Sequence, residues 1–385
     1  MKKFSVFIFI LCIFLFVKCN NGHLNQEPDY LIPFTKNLQV NPVLNPLGTS
    51  KFYCPIRQDS VNWENKDVFN PASVVKGDTL FLLYRAEDTI GKYNGTSRIG
   101  LAYSLDGYHF NRQDTPVLFP SEDDYMKYEW EGGCEDPRIV EDNNGTYYMT
   151  YTAYDGDKAR LFIATSEDLR NWTKYGSVFQ KAGNEYVNMW SKSGSIICSE
   201  ENGKLIATKI NDEYWMYWGE SNIYMATSKN LIDWTPLLEK DPDKMQLDTM
   251  RKYTSSFQIL FSTRNGKFDS ELVEPGPPAI MTKQGILFIY NSKNSPLYGD
   301  KNLTDGTYAA GQIITDKDDP TKVLYRMDKW FITPDQPFEI TGQVNNVCFV
   351  EGLAFFKNKW LLYYGTADSK IAVAESDKKR EMGKY

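Results

Sequence analysis

The chain runs to 385 residues, 42% of them hydrophobic and 24% charged, with a formal charge of −7 at pH 7. An acidic balance without a basic stripe argues against a phosphate-backbone binder, so nucleic acid is not expected as a partner. Only two histidines occur, His23 and His109, which removes histidine-based triads and the common zinc hydrolase sites. No metal and no cofactor is expected, and any chemistry falls to carboxylates.

The N-terminus reads as a targeting segment. Lys2-Lys3 precede an apolar run over 4–17 that is too short and too terminal for an ordinary spanning helix. Residues 1–22 are therefore expected to be an export signal, which would place the protein in the periplasm or on the outer-membrane surface of a bacterium. Cys19 is a candidate lipid-attached residue that would anchor the chain to the membrane, although Lys18 is a poor neighbour for such a site. Residues 23–38 read as a lead segment and 39–385 as one domain. Its cysteines, Cys54, Cys134, Cys198 and Cys348, are widely spaced; export permits disulfides, but buried thiols are expected.

Beyond the lead, long amphipathic helices are scarce and a two-part strand unit recurs. Its first part is a strand, a turn with Gly or Asn, and an aromatic strand. Ala72-Ser73-Val74-Val75 turns at Gly77-Asp78 into Leu80-Phe81-Leu82-Leu83-Tyr84, and Arg138-Ile139-Val140 turns at Asn144-Gly145 into 147–151. Ser195-Ile196-Ile197 is followed by Asn202-Gly203, Pro278-Ala279-Ile280 by Gly285, and Leu353-Ala354-Phe355 by Asn358. The second part is a small-residue strand with a polar turn, as in Leu161-Phe162-Ile163-Ala164-Thr165-Ser166 and Ile223-Tyr224-Met225-Ala226-Thr227-Ser228. These two copies end alike, in Leu169 to Trp172 and Leu231 to Trp234. Five copies of four short strands predict an all-β fold, a five-bladed β-propeller, in preference to an irregular pair of β-sandwiches.

In a propeller the innermost strands begin around a central channel, so polar residues at those beginnings converge from distant parts of the chain. Cys134-Glu135-Asp136-Pro137-Arg138 stands at one beginning. Asn70-Pro71-Ala72, Glu274-Pro275-Gly276-Pro277-Pro278 and Val350-Glu351-Gly352 stand at others. Glycoside chemistry asks for two carboxyl groups flanking the scissile bond, one to supply a proton and one to activate water or attack carbon. Asp136 is the candidate acid, with Glu135 and Arg138 beside it as substrate contacts. Glu220 closes an aromatic strand and Glu274 precedes rigid prolines; both are candidates for the second carboxylate. Arg85 and Asp368 are expected to grip sugar hydroxyls, and Trp218, Tyr84 and Tyr364 to stack on a pyranose face. A non-catalytic surface glycan-binding propeller fits the aromatic richness equally well. It leaves the clustered carboxylates without a reason to bear their desolvation.

The ordered motifs Asn70-Pro71-Ala72, Tyr84-Arg85-Ala86, Cys134-Glu135-Asp136-Pro137-Arg138, Pro275-Gly276-Pro277-Pro278 and Tyr363-Tyr364-Gly365-Thr366-Ala367-Asp368 resemble glycoside hydrolase family 130. The resemblance implies a five-bladed propeller acting on β-mannosides, by phosphorolysis in many members and hydrolysis in some. It implies a mannose-containing oligosaccharide as partner. Asp136 would be the proton donor, acting through a substrate hydroxyl, with Arg85 and Asp368 around the bound mannose. Arg160 and Lys192 match phosphate-side positions. Phosphorylases of the family carry a His-Arg pair after the strand that here ends Trp218-Gly219-Glu220, and a small or neutral residue where Glu274 stands; carboxylates there would repel phosphate. On these departures the chain is expected to lie closest to the family's secreted β-1,2-mannosidases. The expected reaction is inverting hydrolysis releasing mannose from β-1,2-linked mannosides, with Glu220 or Glu274 as base. Phosphorolysis to mannose 1-phosphate is the alternative. Oligomeric state is not readable from the sequence.

Overall fold

The computed structural model describes residues 28, 30–241 and 257–377, with the backbone of 246–248 and 253–255. Five antiparallel blades succeed one another along the chain as a five-bladed β-propeller. Blade one comprises Asp67–Lys76, Thr79–Glu87, Ser97–Ser104 and Asn111–Arg112. Blade two comprises Gly133–Glu141, Tyr147–Tyr154, Ala159–Ser166 and Thr173–Ser177. Blade three is built on Ser195–Ile196, Glu213–Trp218, Asn222–Ser228 and Trp234–Pro236. In blade four the inner strand is split into Leu272–Pro275 and Ile280–Thr282, followed by Gly285–Lys293, Tyr308–Thr315 and Val323–Arg326. Blade five comprises Cys348–Phe356, Lys359–Thr366 and Lys370–Ser376.

Unbroken apolar runs such as Leu80-Phe81-Leu82-Leu83-Tyr84 follow from this arrangement. Alternate side chains of a strand face opposite ways, and each face of a blade meets a neighbouring blade. Leu80, Leu82 and Tyr84 pack with Leu361, Tyr363 and Val373 of blade five, whereas Phe81 and Leu83 pack with Ile139, Met149 and Phe162 of blade two. Both faces are dry, so both are apolar. All four cysteines in the described residues are buried free thiols.

Two expectations about boundaries need correction. The lead over 23–38 is, in its described part, built into the propeller. Thr35–Lys36 pairs with Glu375 and Ala374 as the outer strand of blade five, and Leu31 exchanges two hydrogen bonds of 2.9 Å with the Gln312 side chain. The Asn202-Gly203 turn makes a separate hairpin of Cys198–Glu201 and Lys204–Ala207, while the aromatic strand of blade three pairs with Ser195–Ile196. The export segment and Cys19 lie outside the described residues.

The inner strands share one irregularity that positions the site. Register slips between Phe69 and Pro71 in blade one, between Glu135 and Arg138 in blade two, and between Val350 and Gly352 in blade five. Such bulges bend a strand and re-aim side chains. Asn70 and Asp136 occupy them with φ of +46° and +50°, the left-handed region that Asn and Asp tolerate best among residues with a Cβ. In blade four, Pro275 pairs with Tyr290 and Ile280 with Leu287, so the Gly-Pro-Pro segment between them loops out of the ladder. Blade five closes tightly on blade one: a Cβ at Gly352 would lie 2.7 Å from the Pro71 carbonyl.

Candidate active site

Asp136 sits in the bulge of the inner strand of blade two, nearly fully buried. Its Oδ1 accepts hydrogen bonds from Asn70 Nδ2 at 3.0 Å and Arg85 Nη1 at 3.3 Å. Arg85 is shared further: its Nη2 lies 2.7 Å from Glu87 Oε1 and 2.8 Å from Glu135 Oε1, and its Nε donates to Ser97 Oγ at 3.0 Å. Burial alone would raise the Asp136 carboxyl. Arg85 first, then Lys192, the Asn70 hydrogen bond and Arg138 outweigh it and hold the group below its ordinary range. Glu87 goes the same way, its burial outweighed by Arg85 and Lys66, whereas Asp368 and Glu135 go the other way. Burial pushes Asp368 up to about 7 despite Arg85, with Asp136 and Glu87 adding to the rise, and burial likewise raises Glu135. Arg85 acts on all of these carboxyls, and their ionisations are linked: a charge on Asp136 disfavours one on Glu135 and on Asp368.

Lys192 forms the opposite pole. Its Nζ lies 3.1 Å from Glu274 Oε1, and Ser193 Oγ donates to the same oxygen. Gly219 donates its N–H to the Lys192 carbonyl at 3.0 Å, which brings the neighbouring Glu220 to the same end of the channel. Glu220 accepts a 3.0 Å hydrogen bond from Trp190 Nε1. Burial works against the Lys192 charge, but Glu274, Glu220 and Asp136 together raise its pKa and keep it protonated. The same ammonium therefore acts on the candidate acid and on both candidate bases.

Arg138 is engaged within the fold. It is buried and donates to the carbonyls of Gly276 at 2.8 Å, Pro275 at 2.6 Å and Asp136 at 3.1 Å. In the structure it is a strut between blades two and four, where the sequence predicts a substrate contact. Arg160 is also committed elsewhere, to Asp155 at 2.7 Å and to the ring of Tyr128. Trp218 is no sugar platform: it is 1% exposed and packs on Phe179, Tyr224 and Phe257. Tyr84 and Tyr364 are fully buried, with their hydroxyls on Glu64 and Glu339. Both faces of a blade strand are dry, so aromatic alternation could not tell lining from core.

Three contributors carried no motif signal. Trp190 and Ser193 lie in the segment before blade three, where no periodicity marks them. Tyr308 begins the third strand of blade four; burial, then the Glu274 and Asp368 carboxylates, raise its hydroxyl pKa. Among the described residues no three His, Cys, Asp or Glu side chains gather as a metal-holding group.

A family profile described as beta-1,4-mannooligosaccharide phosphorylase matches residues 36–383. Among curated proteins, the 1,2-beta-oligomannan phosphorylase of Thermoanaerobacter sp. (strain X514) is 30% identical over 350 residues, or 88% of this chain and 96% of that one. A glycosyl hydrolase from Bacteroides ovatus of known structure is 45% identical with a TM-score of 0.85, over 94% of this chain and 98% of that one. A further solved structure carries the description "The GH130 family of mannoside phosphorylases contains glycoside hydrolases that target beta-1,2 mannosidic linkages in Candida mannan". It is 45% identical with a TM-score of 0.85, over 94% of this chain and 99% of that one. The expectation of closest kinship with secreted β-1,2-mannosidases is corrected: the family description and the first curated relatives carry phosphorylase names. That expectation rested on two acceptor-side glutamates, a local feature that likeness along the whole chain does not weigh. With the match spanning nearly all of the propeller, the chain belongs to glycoside hydrolase family 130, a family of enzymes acting on mannosides.

Proposed function

We propose that this protein cleaves β-1,2-linked mannosides with water as the acceptor and inversion at the anomeric carbon. Asp136 passes a proton to the bridging oxygen through a sugar hydroxyl, and Glu220 with Glu274 holds and deprotonates the water. Arg85 and Asp368 bind the mannose. A bound sugar desolvates Asp136 further, the change that raises a carboxyl and lets it hold the proton it delivers. The observation carrying this reading is the pairing of Lys192 with Glu274 at 3.1 Å, with Glu220 close enough to act on the same ammonium. A phosphate ion at that end would meet two carboxylates against one already paired cation.

Phosphorolysis is the second reading, and the names of the curated relatives favour it over the first. Lys192 would then be the phosphate's ammonium. Incubation with β-1,2-mannobiose, with and without phosphate, separates the two. Free mannose at a rate indifferent to phosphate supports hydrolysis; mannose 1-phosphate formed only with phosphate overturns it. Proton NMR of the first anomer released tests inversion.

The export signal over 1–22 supports action outside the cytoplasm, and a lipid anchor at Cys19 would hold the protein at the membrane. Fractionation of the producing cell tests both; recovery in the cytosol with an intact N-terminus rejects them.

A further inference from the structure

Glu351 stands on the inner strand of blade five, where the register slips between Val350 and Gly352. It is fully buried, and neither carboxyl oxygen has a hydrogen-bond partner within the protein. Arg138 Nη1 lies 3.4 Å away without a hydrogen bond to it, and three of that guanidinium's five N–H donors go to the carbonyls of Gly276, Pro275 and Asp136. A buried carboxylate without hydrogen bonds is among the costliest groups a fold can hold, and shedding the charge is the cheaper state.

The surroundings reinforce this. Blade two contributes Arg138 and Asp136, blade four Glu274, and the segment before blade three Lys192. Blade four also supplies the uncharged Asn291, whose side chain brackets the Val350 backbone. Blade one sets the uncharged Pro71 and Ser73 against the adjacent Gly352.

We propose that Glu351 is a positioning residue carried as a neutral carboxylic acid, whose neutrality leaves Arg138 free to tie the Asp136 strand to the Glu274 strand. The proposal rests on the reading of Asp136 and the glutamates as the acid and base of mannoside cleavage. Burial, then Asp136 and Glu274, push the Glu351 carboxyl well above the ordinary range against Arg138 and Lys192. It therefore ionises only well above the ordinary carboxyl range. Once ionised, it draws Arg138 off the Asp136 carbonyl and adds a negative charge behind both reacting carboxylates. The alkaline fall of kcat/KM is its signature.

Two measurements on Glu351→Gln test this. Infrared spectra at neutral pH should show a buried protonated-carboxyl band in the native protein that the variant lacks. The pH profile of kcat/KM on β-1,2-mannobiose should stay within about twofold of native at neutral pH and lose the alkaline fall. Identical infrared spectra overturn the proposal, as does a loss of about a hundredfold at neutral pH with a native melting temperature. If the variant does not fold, native protein labelled with ¹³C-glutamate serves instead, and absence of a protonated glutamate band at neutral pH overturns the proposal. A native protein that cleaves no mannoside sinks the functional reading, while the infrared result still judges Glu351.

Discussion

Arg138 Nη2 donates to the carbonyl of Pro275 at 2.6 Å, so a side chain of blade two fastens the bulge of blade four that follows Glu274. The same guanidinium holds the carbonyl of Asp136. One residue thereby fixes the candidate acid against a candidate base, although they are far apart in the chain. Arg138→Met should cost about 3 kcal/mol of stability, because three buried carbonyls lose their donor. It should also lower kcat/KM at least about a hundredfold through lost alignment. Urea unfolding and steady-state kinetics check both, and a variant of native stability would remove the strut.

Asp136→Asn separates proton supply from binding. Asparagine accepts the φ of +50° at this bulge and matches the aspartate in size, so the fold should persist. Activity should fall by about 10²–10⁴, with KM little changed because Arg85 and Asp368 still hold the sugar. Retention of more than about a tenth of native kcat would assign the proton to another group.

Glu274 pairs with Lys192 and Glu220 acts electrostatically on the same ammonium, so the two should behave as a unit. Glu220→Gln and Glu274→Gln should each lower kcat by about 10²–10³, and the double variant by much less than the product of the two. Multiplicative losses would show independent roles. Gain of phosphate-dependent turnover in Glu274→Gln would show that this carboxylate is what turns phosphate away.

Much of this site could be read from the sequence because it is written as polar interruptions in apolar strands. Asn70-Pro71 and Glu135-Asp136-Pro137 break their strands where bulges form, and a bulge with a proline leaves a local trace. Trp218 misled because its strand packs on both faces, so an aromatic there looks the same whether it lines a channel or a core. Lys192 showed only a family match, since its decisive partner Glu274 is remote in the chain and the pairing exists only in three dimensions. Thr35–Lys36 were hidden for a different reason: two residues make a strand only when blade five offers an edge, and no periodicity can mark so short a piece.

Asp368 predicts a pH effect on binding. Burial raises its carboxyl to about 7, so it is neutral and able to donate a hydrogen bond to a sugar below that pH, and an acceptor only above it. KM for a β-mannoside should change as pH passes about 7, and Asp368→Asn, which donates at every pH, should remove the change. A pH dependence that survives in the Asn variant would place the titrating group elsewhere.

The ring closure predicts a stability effect separable from catalysis. Lys36 Nζ reaches Glu339 at 2.6 Å, Asp335 at 2.8 Å and the Thr333 carbonyl at 2.7 Å. Glu339 is fully buried beneath blade five, where it also accepts from Tyr364 Oη at 2.8 Å. Lys36→Met keeps the apolar stem and the Thr35–Lys36 pairing but leaves Glu339 buried without its cation. A loss of about 3 kcal/mol is expected for breaking a buried pair from one side. Lys36 belongs to the outermost strand of its blade, whereas Asp136 and Glu274 stand on innermost strands and Glu220 just past the second strand of blade three, so kcat/KM at 25 °C should be unchanged. Chemical denaturation and kinetics on the same preparation separate the two effects, and an unchanged denaturation midpoint would show that the clasp rests on strand pairing alone.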